Sequence, residues 1–149
     1  MDAPKNLMQV EIADVGRLIY SGPCARLVAP AALGEVCILP RHAPLLAQLM
    51  PGVVQIQTED DERQSFFLSG GFIEVKNSTV HVLADQMLRS EEIDRAAALA
   101  AKQQAESVLN HSHLFSERDR AKLMLMKALA QLRVLEHAEI QRLKTRHHR

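Results

Sequence analysis

"TVHVLADQMLRSEEIDRAAALAAKQQAESVLN", residues 79–110, contains the point at which this chain changes its grammar. In its first six residues Val80, Val82 and Ala84 alternate with His81 and Leu83, the period of two that marks a half-buried strand. From Ser90 to Asn110 there is no Gly and no Pro, and Ala, the strongest helix former, recurs throughout. Ser90 reads as an N-cap, with Glu91, Glu92 and Asp94 set against the positive end of the helix dipole. The stretch divides the chain into a β region, residues 1–88, and an α region, residues 89–149.

Before the divide the alternation repeats. Met8, Val10 and Ile12 share one face of "MQVEIAD", and Val54, Ile56 and Thr58 share one face of "VVQIQTE". Turn signals separate the runs: "SGP" at 21–23, "APAALG" at 29–34, "MPG" at 50–52, "SGG" at 69–71 and "KNS" at 76–78. The acidic "EDDER" at 59–63 reads as an exposed hairpin loop. About eight to ten strands at this spacing predict a β-sandwich or barrel. After the divide, Asn110 and "HSH" are expected to end the first helix. Ser116 is expected to open a second, with Asp119 in a capping-box position. Leu125, Ala128, Leu132 and Leu135 then form one apolar stripe. Two such helices predict an antiparallel hairpin whose longer, basic arm overhangs.

Composition narrows the function classes. The chain has 149 residues, 47% hydrophobic and 24% charged, with no Trp and one Tyr. Its net charge of zero conceals an asymmetry. Residues 1–89 carry 7 Lys/Arg against 10 Asp/Glu, and residues 90–149 carry 11 against 8, so −3 faces +3. No global field points to nucleic acid. Two cysteines, Cys24 and Cys37, are too few for a disulfide scaffold and read as buried free thiols in a reducing compartment. No basic-then-apolar leader opens the chain, and no apolar run approaches the ~20 residues of a membrane helix.

Catalytic patterns are missing too. The seven histidines supply at most pairs, "HSH" and "HH", short of the three or four ligands of a zinc site. There is no G-x-S-x-G elbow and no H-E-x-x-H helix, and "SGGF" has no following helix to cradle phosphate. His81 points off the apolar face. What remains is interaction. In "EVCILPRHAPLL" two prolines, Pro40 and Pro44, stiffen the chain around Arg41 and His42 at a sheet's rim, a contact point or a structural turn. Basic residues recur along the second helix, a solvated face or a surface for an acidic partner.

"GEVCILPRHAPLLAQLMPGVVQI", "FFLSGGFIEV", "VHVLAD", "EEIDRAAALAAKQQAE" and "KALAQLRVLE" together resemble the epsilon subunit of F-type ATP synthases, over residues 7–136. The resemblance implies a β-sandwich followed by a helical hairpin, and a non-catalytic rotor subunit of the central stalk. It implies that the sandwich binds the gamma subunit while its rim rests on the proteolipid c-ring, through positions matching Glu35, Cys37, Arg41, His42 and Ala43. Cys37 stands where family members usually carry glycine. The hairpin is implied either to lie folded on the sandwich or to extend along gamma into the catalytic head of alpha and beta subunits and inhibit ATP hydrolysis, with Lys122, Lys127 and Arg133 then meeting an acidic beta-subunit segment. Some members bind ATP through an I/L-D-x-x-R-A motif. Here Ile93 and Asp94 remain, but Ala97 occupies the arginine position and Gln104 the second one, so weak or absent ATP binding is expected, with no cofactor. The implied location is peripheral, at the cytoplasmic face of a bacterial inner membrane. A free regulatory protein-binding module with the same fold, and a small enzyme using His42 or His81, are the alternatives.

Overall fold

A computed structural model describes residues 6–147; the second histidine of the "HH" pair, His148, lies outside the described residues. Nine strands precede a helical pair. They are β1 (Met8–Asp14), β2 (Leu18–Ala31), β3 (Gly34–Ile38), β4 (Leu45–Leu49), β5 (Gly52–Thr58), β6 (Arg63–Leu68), β7 (Gly71–Lys76), β8 (Thr79–Ala84) and β9 (Met87–Leu88). The hydrogen-bonded order is β1-β8-β7-β4-β2-β5-β6-β9, with β3 on β2 and β1 also on β2. β1 and β8 are parallel, and every other pair is antiparallel.

Strand β2 makes the two layers. Its first half pairs with β1 (Met8 opposite Cys24, Ile12 opposite Tyr20), and its second half pairs with β3 and β5. A register shift between Cys24 and Arg26 lets one strand serve both layers. The "SGP" at 21–23 is therefore strand, contrary to its turn composition. Pairing with β5 begins only at Cys24, so the missing N–H of Pro23 falls where one side of the strand has no partner. The alternating faces meet as expected: Val10, Ile12, Leu27, Ile38, Val54, Ile56, Leu68, Ile73 and Val80 are fully buried between the layers. Each such aliphatic contributes about 1.5–3 kcal/mol by leaving water.

"SGG" is a tight passage. Gly71 has φ of 148°, and a Cβ there would lie 2.1 Å from the Leu83 carbonyl oxygen. Only glycine fits.

The linker differs from the sequence expectation. Ser90–Glu92 is one turn of 3-10 helix, and α1 runs Arg95–His111 with Asp94 as its N-cap, the carboxylate accepting the Ala97 N–H at 3.1 Å. Ser90 lies inside the 3-10 turn, whose N-cap position is Arg89 and whose Glu92 carboxylate accepts the Arg89 backbone N–H at 3.1 Å. The Arg17 guanidinium also donates to this carboxylate at 2.7 Å and to the Met87 carbonyl at 2.9 Å. Arg89 adds a bond to the Ile19 carbonyl at 2.7 Å. The first helix ends within "HSH" as expected, with His111 its last residue and Ser112 its C-cap. The second helix, α2 (Phe115–His147), starts one residue before Ser116, which lies inside the first turn. The local hydroxyl contacts come from Ser112, which accepts the Leu114 N–H at 3.3 Å and donates to Glu117 at 2.6 Å.

The hairpin closes as the stripe predicts. Ala98 and Ala105 of α1 are buried, as are Ala121, Ala128 and Leu135 of α2, with Leu125 and Leu132 half-buried. Small side chains let the two backbones approach closely. At 1.5 Å per residue the 33 residues of α2 span roughly 50 Å, about twice the length of α1 with its 17. A second face of α2 also carries apolar contact. Ala130 and Val134 pack with Val53 of β5 and Phe67 of β6, flanked by Leu88 and Ile93. The hairpin lies folded against the sandwich.

Candidate functional site

The rim is built by β3 and the chain that follows it. Among the described residues β3 has no strand beyond it, and Glu35 and Cys37 project from its exposed side while Ile38 is buried. This corrects the expectation for Cys37. Its apolar neighbours Val36 and Ile38 point inward, so the alternation carries the thiol outward, where Sγ accepts the Arg26 Nε–H at 3.2 Å. Cys24 is buried, as expected, and burial pushes its thiol pKa up. Beyond β3 the His42 N–H donates to the Leu39 carbonyl at 3.1 Å, closing a turn through Pro40 and Arg41. Arg41 has φ of 68° in the position where type II turns favour glycine. The half-buried His42 ring has Nδ1 at 2.7 Å from the Ala43 carbonyl, which makes Nδ1 the protonated nitrogen. Glu35, Cys37, Arg41 and Ala43 are exposed, joined by Leu39 at 52% and by Leu33 on the β2–β3 turn. The five residues thus occupy one continuous segment of sandwich edge, away from the seam with α2.

His81 lies elsewhere, on the outer face of β8, with Nδ1 at 3.2 Å from Glu11. It is no neighbour of His42 in strand register. Among the described residues no three His, Cys, Asp or Glu side chains gather as metal ligands. No helix of the described residues is long and apolar enough to cross a membrane.

Strand register creates a feature that sequence reading missed. Leu18 of β2 lies opposite Ala13 of β1, Ala13 opposite Leu83 of β8, and Leu83 opposite Phe72 of β7. Leu18, Leu83 and Phe72 are each more than half exposed, so an apolar row crosses four strands on the outer face. The row two residues along is polar, with Glu11, His81 and Glu74, and ends at the exposed Leu46. The alternation marks each of these side chains as outward-facing. Only the pairing of distant strands makes them neighbours.

The three helix cations do not share a face. Lys122 and Arg133 are eleven residues apart, about three full turns, and both are exposed, near Met126 and Leu129. Lys127 turns instead toward α1, where with Arg120 and Gln131 it lines an open hollow against Ala97, Ala98 and Ala101. Ile93 packs in the seam, and the Asp94 carboxylate caps α1. Both residues of the degenerate ATP motif thus have structural tasks, and Ala97 brings no guanidinium to the hollow.

The comparisons with known proteins agree with this geometry. The family model for the ATP synthase delta/epsilon chain, beta-sandwich domain, matches residues 7–90, and that for its long alpha-helix domain matches residues 91–136. This chain belongs to the delta/epsilon family of ATP synthase subunits. Relatives named ATP synthase epsilon chain include those of Nitrosococcus oceani, 44% identical over 87% of this chain and 92% of the relative, and Halorhodospira halophila, 45% identical over the same shares. The Nitrosomonas europaea protein is 37% identical over 95% of this chain and 98% of its own. The epsilon chain is a non-catalytic subunit. Among solved structures, a chain of the Euglena gracilis mitochondrial ATP synthase (OSCP/F1/c-ring) shares the fold. Its TM-score is 0.74 at 22% identity, covering 93% of this chain and 84% of that one. A chain of the Tetrahymena thermophila central stalk and c-ring gives 0.58 at 16% identity, over 89% and 99%.

Proposed function

We propose that this epsilon-family subunit works in the rotor of an F-type ATP synthase, joining the gamma subunit to the proteolipid ring and restraining ATP hydrolysis through its hairpin. The observation that carries the reading is the apolar row Leu18, Leu83 and Phe72. It is an unpartnered sheet face on a protein whose family works inside an assembly, and gamma is the occupant assigned to it. Water-exposed apolar side chains aligned across four strands are stabilised when a partner covers them.

The rim of Glu35, Cys37, Arg41, His42 and Ala43 is assigned to the ring. Arg41 supports this, since a non-glycine residue held at positive φ carries local strain that a purely structural turn would avoid. Lys122 and Arg133, about three turns apart on the free face of α2, are assigned to the acidic segment of a beta subunit once the hairpin extends. Lys127 would join them only after α1 leaves α2. ATP is bound weakly or not at all, because Ala97 and Gln104 replace the arginines that a triphosphate needs. The subunit sits peripherally, at the cytoplasmic face of a bacterial inner membrane, with residues 1–88 as the rotor-binding domain and 89–149 as the regulatory one.

The experiment is assembly with and without the hairpin. A tagged chain ending at Leu88 should still co-purify gamma and the ring while ATP hydrolysis rises, and Phe72→Glu in the full chain should lose gamma. Retention of gamma by Phe72→Glu would remove the apolar row from the account, and failure of the truncated chain to assemble would make the hairpin structural.

A further inference from the structure

On the outer face of the sheet, His81 of β8 stands between two carboxylates. Its register partner on one side is Glu11 of β1, and on the other Glu74 of β7. His81 Nδ1 lies 3.2 Å from the Glu11 carboxylate. The antiparallel pairing sets the Glu74 Cβ about 4.5–5.5 Å from that of His81. We infer that His81 makes the attachment of gamma to this face proton-linked: the imidazole takes up a proton as the face is covered, and the contact tightens as pH falls. The inference rests on the assignment of gamma to the apolar row.

Leu83 and Phe72 of that row lie two residues from His81 and Glu74 on the same strands, so a partner covering the row also closes over the imidazole. In the free chain His81 and Glu11 are about half exposed, at 52% and 46%, and water screens the pair. Covering the face lowers the local dielectric, which strengthens the attraction between an imidazolium and its two carboxylates. With a neutral ring the same carboxylates are desolvated without compensation. Among the described residues the outer positions of the adjoining strands bring one further charge, Lys76 of β7, because Gln9 and Ala13 of β1 are uncharged. Farther out, Ser21 of β2 faces Glu11, and Leu46 of β4 faces Glu74. Glu11, Glu74 and Lys76 together leave one net negative charge, which a proton on His81 removes. A row that supplies its own cation fits a partner surface that brings none. Histidine changes charge between about pH 5 and 8, so the linkage falls in the working range of a cell. Because docking favours the protonated ring, the contact is strongest in mild acid and weakens as pH rises through the range of the docked imidazole.

The test is calorimetric titration of the full chain into the catalytic head that carries gamma but lacks this subunit. Two buffers of different ionisation enthalpy count the protons taken up. At about pH 7 the parent chain should take up more than His81→Gln, by a fraction of one proton. Its affinity should fall with rising pH by up to about tenfold per unit, the ceiling for one linked proton. His81→Gln should flatten that dependence, and Glu74→Gln, which keeps the histidine, should shrink the uptake, both with unchanged circular dichroism. Phe72→Glu separates this inference from the reading beneath it. If Phe72→Glu binds as the parent does, the face is not covered and both fall. If Phe72→Glu fails to bind while the parent and His81→Gln take up equal protons, the proton linkage alone is overturned. Proton release by the parent relative to His81→Gln would also overturn it, since that is the sign expected when the partner brings a cation to the row.

Discussion

The interior of the sandwich and the seam beneath α2 are both apolar, yet they are built to different standards. Between the two sheets, aliphatic side chains from every strand interlock, and Val10, Ile12, Leu27, Ile56 and Ile73 are wholly excluded from water. At the seam, among the described residues, only Val53, Phe67, Ala130 and Val134 form the buried cluster, reinforced by the Ser65–His137 hydrogen bond. The first region is one continuous buried core. The second is a docking contact whose few apolar side chains, at about 1.5–3 kcal/mol each, lie within the range that partner binding can offset.

Gly71→Ala attacks the stronger region and should have the largest effect. A methyl group 2.1 Å from the Leu83 carbonyl forces the β7–β8 ladder apart, and more than about 3 kcal/mol of sandwich stability should vanish in a urea titration. Val134→Asp attacks the weaker one. An unpaired charge against Phe67 should cost about 2–3 kcal/mol of docking, so that hydrogen exchange quickens through α1 and α2 while the β ladders keep their protection. If both changes melted sheet and helices together, the two regions would be one cooperative unit.

Arg41→Gly probes the rim alone. Removing the Cβ from a residue at φ 68° should stabilise the isolated chain by about 1 kcal/mol, measured as a higher urea midpoint, with no change at the seam. The smallest effect concerns the linker. The hydrogen bond from the Arg17 guanidinium, then that from the Arg89 backbone N–H, holds the Glu92 carboxyl below its ordinary value. A lowered folded-state pKa stabilises fully above the unfolded value, about 4.3 for Glu, and the contribution disappears as pH falls through the folded one. Amide exchange at residues 89–94 should therefore quicken in acid before the β ladders open, and Arg17→Ala should remove that dependence.

These two regions also mark what could be read from sequence. The sandwich interior was legible because alternation such as Val80, Val82, Ala84 is a local signal, and the hairpin because its alanines repeat at helical spacing. The exceptions have local causes. "SGP" has turn composition but lies in a strand with one free side, and Ser90 was expected to cap the long helix but sits in a separate 3-10 turn, whose Glu92 is also held by Arg17, 75 residues away. The seam had a signal that was overlooked. Adjacent apolar pairs, Val53–Val54 and Phe66–Phe67, break the alternation because that layer is covered on both faces. The apolar row was beyond sequence reading, since Leu18, Leu83 and Phe72 become neighbours only through long-range register. Lys127 parted from Lys122 and Arg133 for a related reason: helical spacing shows which residues share a face, and only packing shows which face meets α1.

The central claim is that the folded hairpin is one of two working positions, and that hydrolysis is restrained from the other. The most direct measurement is the ATP hydrolysis rate of the assembled enzyme carrying Ser65→Cys and His137→Cys in a Cys37→Ser background, before and after joining the two thiols with a short reducible cross-linker. The account predicts that cross-linking raises hydrolysis and that reduction restores the restraint. An equally restrained rate with the hairpin fastened to the sandwich would contradict it.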